Sequence, residues 1–108
     1  MKTITVADLT NKGVNRHKVR SLLEDLAKAG LVEKQKEGQK VVYAFHPLLA
    51  DVPNVLTVLR PRKAESIHKL AAKTGLPTQA VEQAVSLLVD HGFAVQPFHS
   101  ERFRLNVD

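Results

Sequence analysis

Arg16, His17, Lys18 and Arg20 come directly after Asn15, at the start of a segment whose apolar residues recur at helical spacing. Basic side chains on the first turns of a helix suit a polyanion: lysine neutralises phosphate, and the guanidinium fork matches the paired acceptors of guanine. Lys34, Lys36 and Lys40 follow on two short runs of strand character. The same residues also read as an ordinary solvated face, and composition alone does not separate the two readings. Other chemistries are poorly represented. His17, His46, His68, His91 and His99 lack the i, i+4 or paired-cysteine spacing of a metal site and read as surface or capping groups. Phe45, Phe93, Phe98 and Phe103, with Tyr43, fall at strand positions and are expected in the cores of hairpins rather than as platforms for stacked bases. No Ser, His and Asp constellation, glycine-rich phosphate loop or spaced carboxylate pair suggests catalysis, so an enzyme is not expected. No catalytic residue, cofactor, metal or small-molecule ligand is assigned.

The 108 residues bound what can position those groups: one respectable core, or two very small ones that share an interface. At 44% hydrophobic and 25% charged the chain is ordinary for a globular protein, while a net charge of +5 permits a polyanionic partner without requiring one. The absence of cysteine excludes disulfides, thiolate metal sites and thiol redox sensing. With no apolar stretch approaching a membrane span and no secretory pattern after Met1, the expected location is the cytoplasm.

The elements repeat. Residues 14–32, VNRHKVRSLLEDLAKAGLV, lie over residues 76–94, LPTQAVEQAVSLLVDHGFA, without a gap at an offset of 62 (76 minus 14). Val19 falls on Val81, Leu23 on Val85, Leu26 on Leu88 and Gly30 on Gly92, so the apolar face and the helix stop coincide while the exposed residues differ. In the first copy, Thr5 and Asp8 mark a short helix that should stop at Gly13, and Asn15 caps a second helix closed by Gly30. Residues 31–36 and 40–45, separated by Glu37-Gly38, then predict an antiparallel hairpin with Lys34, Lys36 and Lys40 about its tip. Prolines from Pro47 to Pro53 suggest a junction over residues 47–53. In the second copy helices are expected over residues 54–60, 64–73 and 78–91, with a turn at Gly75, followed by a hairpin over residues 93–107 that turns near Ser100 and carries Arg102 and Arg104.

Both halves resemble winged helix-turn-helix domains. The second, LTVLRPRKAESIHKLAAKTGLPTQAVEQAVSLLVDHGFAVQPFHSERFRL, is similar to the DNA-binding domain of the biotin-operon repressor class in the order and spacing of its helices and hairpin. The resemblance implies an α+β, mostly α, fold of two tandem units, 1–46 and 54–108. Each would offer its third helix to the major groove and its hairpin wing to the phosphate backbone or minor groove. The first unit departs from the pattern by lacking the usual opening helix, which would leave Val6, Leu9 and Leu26 uncovered unless the 47–60 region, the second unit or another chain packs there.

The expected function is therefore sequence-specific binding of double-stranded DNA by a small transcriptional regulator, acting as a homodimer. Asn15, Arg16, His17, Lys18, Arg20, Lys34, Lys36 and Lys40 would supply most of the contact. The matching face of the second unit carries Thr78, Gln79, Glu82 and Gln83. Gln79 and Gln83 suit adenine, Arg102 and Arg104 the backbone, and Glu82 repels phosphate. Two alternatives stay open: a plasmid or phage replication initiator, and a module that binds protein or RNA.

Overall fold

The computed structural model describes residues 3–107, the His99 side chain excepted; Met1 and Lys2, where the absence of a leader was read, and Asp108 lie outside it. After a two-residue strand, β1 (Thr3–Ile4), helix α1 (Val6–Thr10) starts where it does because Thr5 and Asp8 close a capping box. The Thr5 N–H donates to Asp8 Oδ2 at 2.8 Å and the Asp8 N–H to Thr5 Oγ1 at 3.3 Å, satisfying two amides that the helix cannot. A turn ending at Gly13 leads to α2 (Arg16–Lys28), whose first amides, those of His17 and Lys18, donate to Asn15 Oδ1 at 2.9 and 3.4 Å. Strands β2 (Val32–Glu37) and β3 (Lys40–Phe45) form the hairpin. Its register pairs Glu37 with Lys40, so the loop is Gly38-Gln39, one residue later than the expected Glu37-Gly38.

The second set of elements is α3 (Asp51–Val58), β4 (Glu65–Ser66), α4 (Ile67–Thr74), α5 (Thr78–Asp90), β5 (Ala94–Val95) and β6 (Arg102–Leu105). Three expectations need correction here. Helix α3 occupies 51–58 rather than 54–60, because Pro53 sits in its first turn, where a missing N–H costs no hydrogen bond. Residues Glu65–Ser66, expected in a helix, pair with β6, and α4 begins only after the Ser66 cap. The second hairpin is short, with its excursion between the strands made by a 3-10 turn over Pro97–His99.

The fold is α+β, with two three-stranded antiparallel sheets ordered β1-β3-β2 and β4-β6-β5. The offset seen in the apolar pattern holds for the architecture: β1 and β4 start 62 residues apart (65 minus 3), α2 and α5 likewise (78 minus 16), and β3 and β6 again (102 minus 40). Even the helix stops agree. Leu31 N–H donates to Leu26 O at 3.0 Å and Gly30 N–H to Ala27 O at 3.1 Å; Phe93 and Gly92 repeat this with Leu88 and Val89 at 2.9 and 3.1 Å. These are paired Schellman caps, and each needs a left-handed residue, which Gly30 (φ 77°) and Gly92 (φ 82°) supply.

The two repeats share one hydrophobic core. Leu9, Val19, Leu23 and Leu26 of the first and Leu56, Leu70, Val81 and Leu88 of the second belong to a single buried cluster, so Leu9 and Leu26 are covered without a second chain. Lys12, in the turn after α1, pins the halves together by donating to the carbonyls of Thr57 and, at 2.8 Å, Leu59 at the end of α3. An ammonium there satisfies carbonyls the helix leaves open and faces the negative end of its dipole. Partial burial, then the charges of Arg60 and Lys73, lower the pKa of Lys12.

Leu22 of α2 reaches the second repeat too: a Cβ built on Gly92 would stand 3.3 Å from Leu22 Cδ2, whereas one on Gly30 meets nothing within 4 Å. Gly30→Ala should therefore cost about 1 kcal/mol, the strain of a left-handed alanine. Gly92→Ala should cost more, because Leu22 Cδ2 must also give way by a few tenths of an ångström, and urea denaturation of the two variants measures the difference.

Candidate nucleic-acid interface

The α2 helix breaks a rule that α1 obeys. Asp8 sits in the first turn of α1, where the helix dipole favours an anion, whereas the first turns of α2 hold Arg16, His17, Lys18 and Arg20 and no acidic residue. Cations at the positive end of a helix oppose its formation, and local conflicts of this kind are expected where a surface serves a ligand. Asn15 offsets part of the cost as the cap.

The expected basic residues are not all on one side. Val19, Leu23 and Leu26 fix the buried face of α2. Relative to it, Arg16, His17 and Arg20 are exposed, while Lys18 is half-buried and, at about 100° per residue, is rotated roughly 160° from Arg20. Burial, then the hydrogen bond and charge of Glu24, raise the pKa of Tyr43, and the charges of Lys34 and Arg20 oppose that rise in part. Arg20 lies one turn before Glu24, on the side of α2 that meets the hairpin. In β2 and β3, the register puts Lys34 opposite Tyr43 and Lys36 opposite Val41, so both lysines share the sheet face of Tyr43. Lys40 pairs with Glu37 and points to the other face. The hairpin thus divides its three lysines, and the sheet face of Tyr43, which meets α2 through Glu24, carries Lys34 and Lys36.

Glu24 is a residue that composition gave no reason to single out. Its Oε1 accepts from Lys34 Nζ and from the Tyr43 hydroxyl, each at 3.2 Å, closing the seam between helix and hairpin. These hydrogen bonds, from Lys34 first and Tyr43 second, together with the Lys34 charge, hold the Glu24 carboxyl below its ordinary pKa. The carboxylate therefore stays charged at neutral pH and occupies one of the lysines expected to meet phosphate. Glu24→Gln should free Lys34, raise affinity for a DNA duplex and steepen its salt dependence by about one unit of log–log slope, measured by fluorescence anisotropy.

The equivalent face of the second repeat has different chemistry. At the 62-residue offset Arg20 becomes Glu82, Lys28 becomes Asp90, Lys36 becomes Phe98 and Glu24 becomes Ser86. Gln79 and Gln83 are exposed on α5, as expected, but Glu82 lies between them on the same helix. Arg102 is exposed and Arg104 half-buried on β6, both on the sheet face opposite Phe103 and Leu105. Arg102 stands near Lys63 and Lys69, away from the α5 surface. Phe98 corrects another expectation: instead of joining the hairpin core it is 99% exposed at φ 53°, while Phe45 and Phe93 are buried as expected.

Among the described residues no group of three His, Cys, Asp or Glu side chains could hold a metal ion, and no helix is long and apolar enough to cross a membrane. Compared with protein-family models, with curated proteins and with solved structures, the chain finds no match in any of the three.

Proposed function

We propose that the chain is a small regulator that binds double-stranded DNA through tandem winged-helix units, with α2 and the inner face of the first hairpin as the principal contact surface. The observation that carries this reading is the placement of exposed Arg16, His17 and Arg20 along α2, beside Lys34 and Lys36 on the facing hairpin. A helix with basic first turns, next to a basic hairpin, has the dimensions to enter a major groove and grip the flanking phosphates. The order of strand, two helices and hairpin, with the first strand hydrogen-bonded to the last, supports the winged-helix assignment in both repeats. In this reading Lys18 and Lys40 contact backbone at the margins, and Gln79, Gln83, Arg102 and Arg104 contribute less, because Glu82 and Asp90 repel phosphate from α5. A homodimer would extend recognition over a two-fold site, although the core is closed without it.

The test is duplex affinity as a function of salt. With about four phosphate contacts, log K should fall with log[salt] at a slope on the order of −4. Duplex binding that is absent, or indifferent to salt, would remove the proposal. If binding holds, reporter assays on nearby promoters separate transcriptional control from replication initiation, which would appear instead as control of plasmid copy number.

A further inference from the structure

The contrast between equivalent faces points to a second binding surface. In the first repeat Glu24, Lys34 and Tyr43 close the seam between helix and hairpin. At the matching positions of the second repeat are Ser86 and Gln96, and because Ala94 pairs with Leu105 where Val32 pairs with Phe45, the register brings Phe103 rather than Leu105 to the place of Tyr43. The seam stands open as a groove of about 510 Å³ between α5, the start of α4 and the second hairpin. Its floor includes Ile67, Val89 and Phe103, all partly buried, and its rim Glu82, Asp90 and Glu101, all exposed. None of those carboxylates forms an ion pair among the described residues, and the lining includes no lysine or arginine.

The loop that makes one wall adds an independent observation. Phe98 lies between Gln96 and Glu101, both of which line the groove, and it holds a left-handed backbone conformation with its ring in solvent. The fold gains almost no burial from that ring and bears the strain of φ 53°, so the ring is free to cover an occupant of the groove.

We infer that this groove docks a segment of a partner protein that carries lysine or arginine around an apolar anchor. Charge complementarity selects the occupant. Nucleic acid is repelled by the three carboxylates, whereas the stems of basic side chains can lie on the apolar floor while their heads reach the rim. An apolar side chain of the segment fills the floor, and Phe98 packs over it. The chain would then hold a duplex on its first repeat and a protein on its second. This inference does not depend on the duplex reading, since it rests on different residues.

The test titrates the full chain with two labelled peptides of equal charge, an amphipathic Lys/Leu peptide and an oligolysine, by fluorescence anisotropy. The amphipathic peptide should bind about tenfold or more tightly than oligolysine, the return from one buried apolar side chain. Glu82→Lys with Glu101→Lys should weaken it by about tenfold. Glu33→Lys with Glu37→Lys, on the first hairpin, should leave it unchanged, and Phe98→Ser should weaken it without lowering thermal stability. Equal affinity for the two peptides, or equal loss from both charge reversals, overturns the inference. Arg16→Gln with Arg20→Gln removes duplex contacts and should leave peptide binding intact, so the two readings fail separately.

Discussion

Under the proposed duplex reading, replacing Arg16, Arg20 and Lys36 by glutamine should lower affinity for duplex DNA by about 100-fold at physiological salt and reduce the log–log salt slope by about 3. The size follows from counterion release. Each cation that neutralises a phosphate frees condensed ions, and three such contacts removed at once account for both numbers. The three residues are exposed and make no ion pair among the described residues, so the fold has little to lose. Losing three cations from the positive end of α2, or beyond it, should if anything steady the helix. Equal replacement of Lys63, Lys69 and Arg102, a basic cluster on the far side of the second hairpin, is the control, and its effect should be much smaller.

The second large effect concerns stability. Glu65 is 2% exposed, the one buried charged residue among those described, and Lys73 Nζ lies 2.6 Å from its Oε2, with Arg60 Nε 3.8 Å from Oε1. Burial pushes the carboxyl up; the hydrogen bond and charge of Lys73, with Arg60 and Lys63, outweigh it and hold the group below its ordinary value. Lys73→Met should cost about 3 kcal/mol at neutral pH, because it leaves a desolvated carboxylate with only the more distant charges of Arg60 and Lys63. The pH dependence of the two proteins then runs in opposite directions. In the native chain the folded carboxyl binds its proton less readily than the unfolded one, so the contribution is complete above pH 4.5 and drains away as pH falls below it. In Lys73→Met burial dominates and raises the folded value, so the penalty present at neutral pH shrinks as pH falls toward 4.5 and the carboxyl is protonated. Urea denaturation at neutral and at mildly acidic pH should show the gap narrowing.

The repeat was legible because apolar spacing and a glycine stop are what burial and a Schellman cap demand, and both survive complete divergence of the surface. Val19, Leu23 and Leu26 had to face a core, and Gly30 and Gly92 had to be left-handed. Strands β1 and β4 were not legible: two residues are too few to show a period, and each is a strand only because β3 or β6 lies beside it. Pro53 marks no boundary, because the first turn of a helix accepts proline. Phe98 is not at a strand position because the chain turns out of the strand at Pro97 and takes the ring with it.

At the surface, the sequence located the basic helix and hairpin but not their sides. That Lys40 turns away from Lys36 and that Glu24 claims Lys34 depend on register and on the angle between α2 and the hairpin. Both are set by tertiary packing. The acidic groove was equally hidden, since Glu82, Asp90 and Glu101 are dispersed in the chain and meet only when α5 and the second hairpin fold together.

The most direct measurement is an amide chemical-shift titration of the whole chain with a short DNA duplex. Perturbations should concentrate at Asn15, the first turns of α2 and residues 34–40 of the first hairpin, with weaker shifts at Gln79 and Gln83 and residues 84–90 of α5 silent. Perturbations centred on α5 and the second hairpin, with α2 unmoved, would contradict the account.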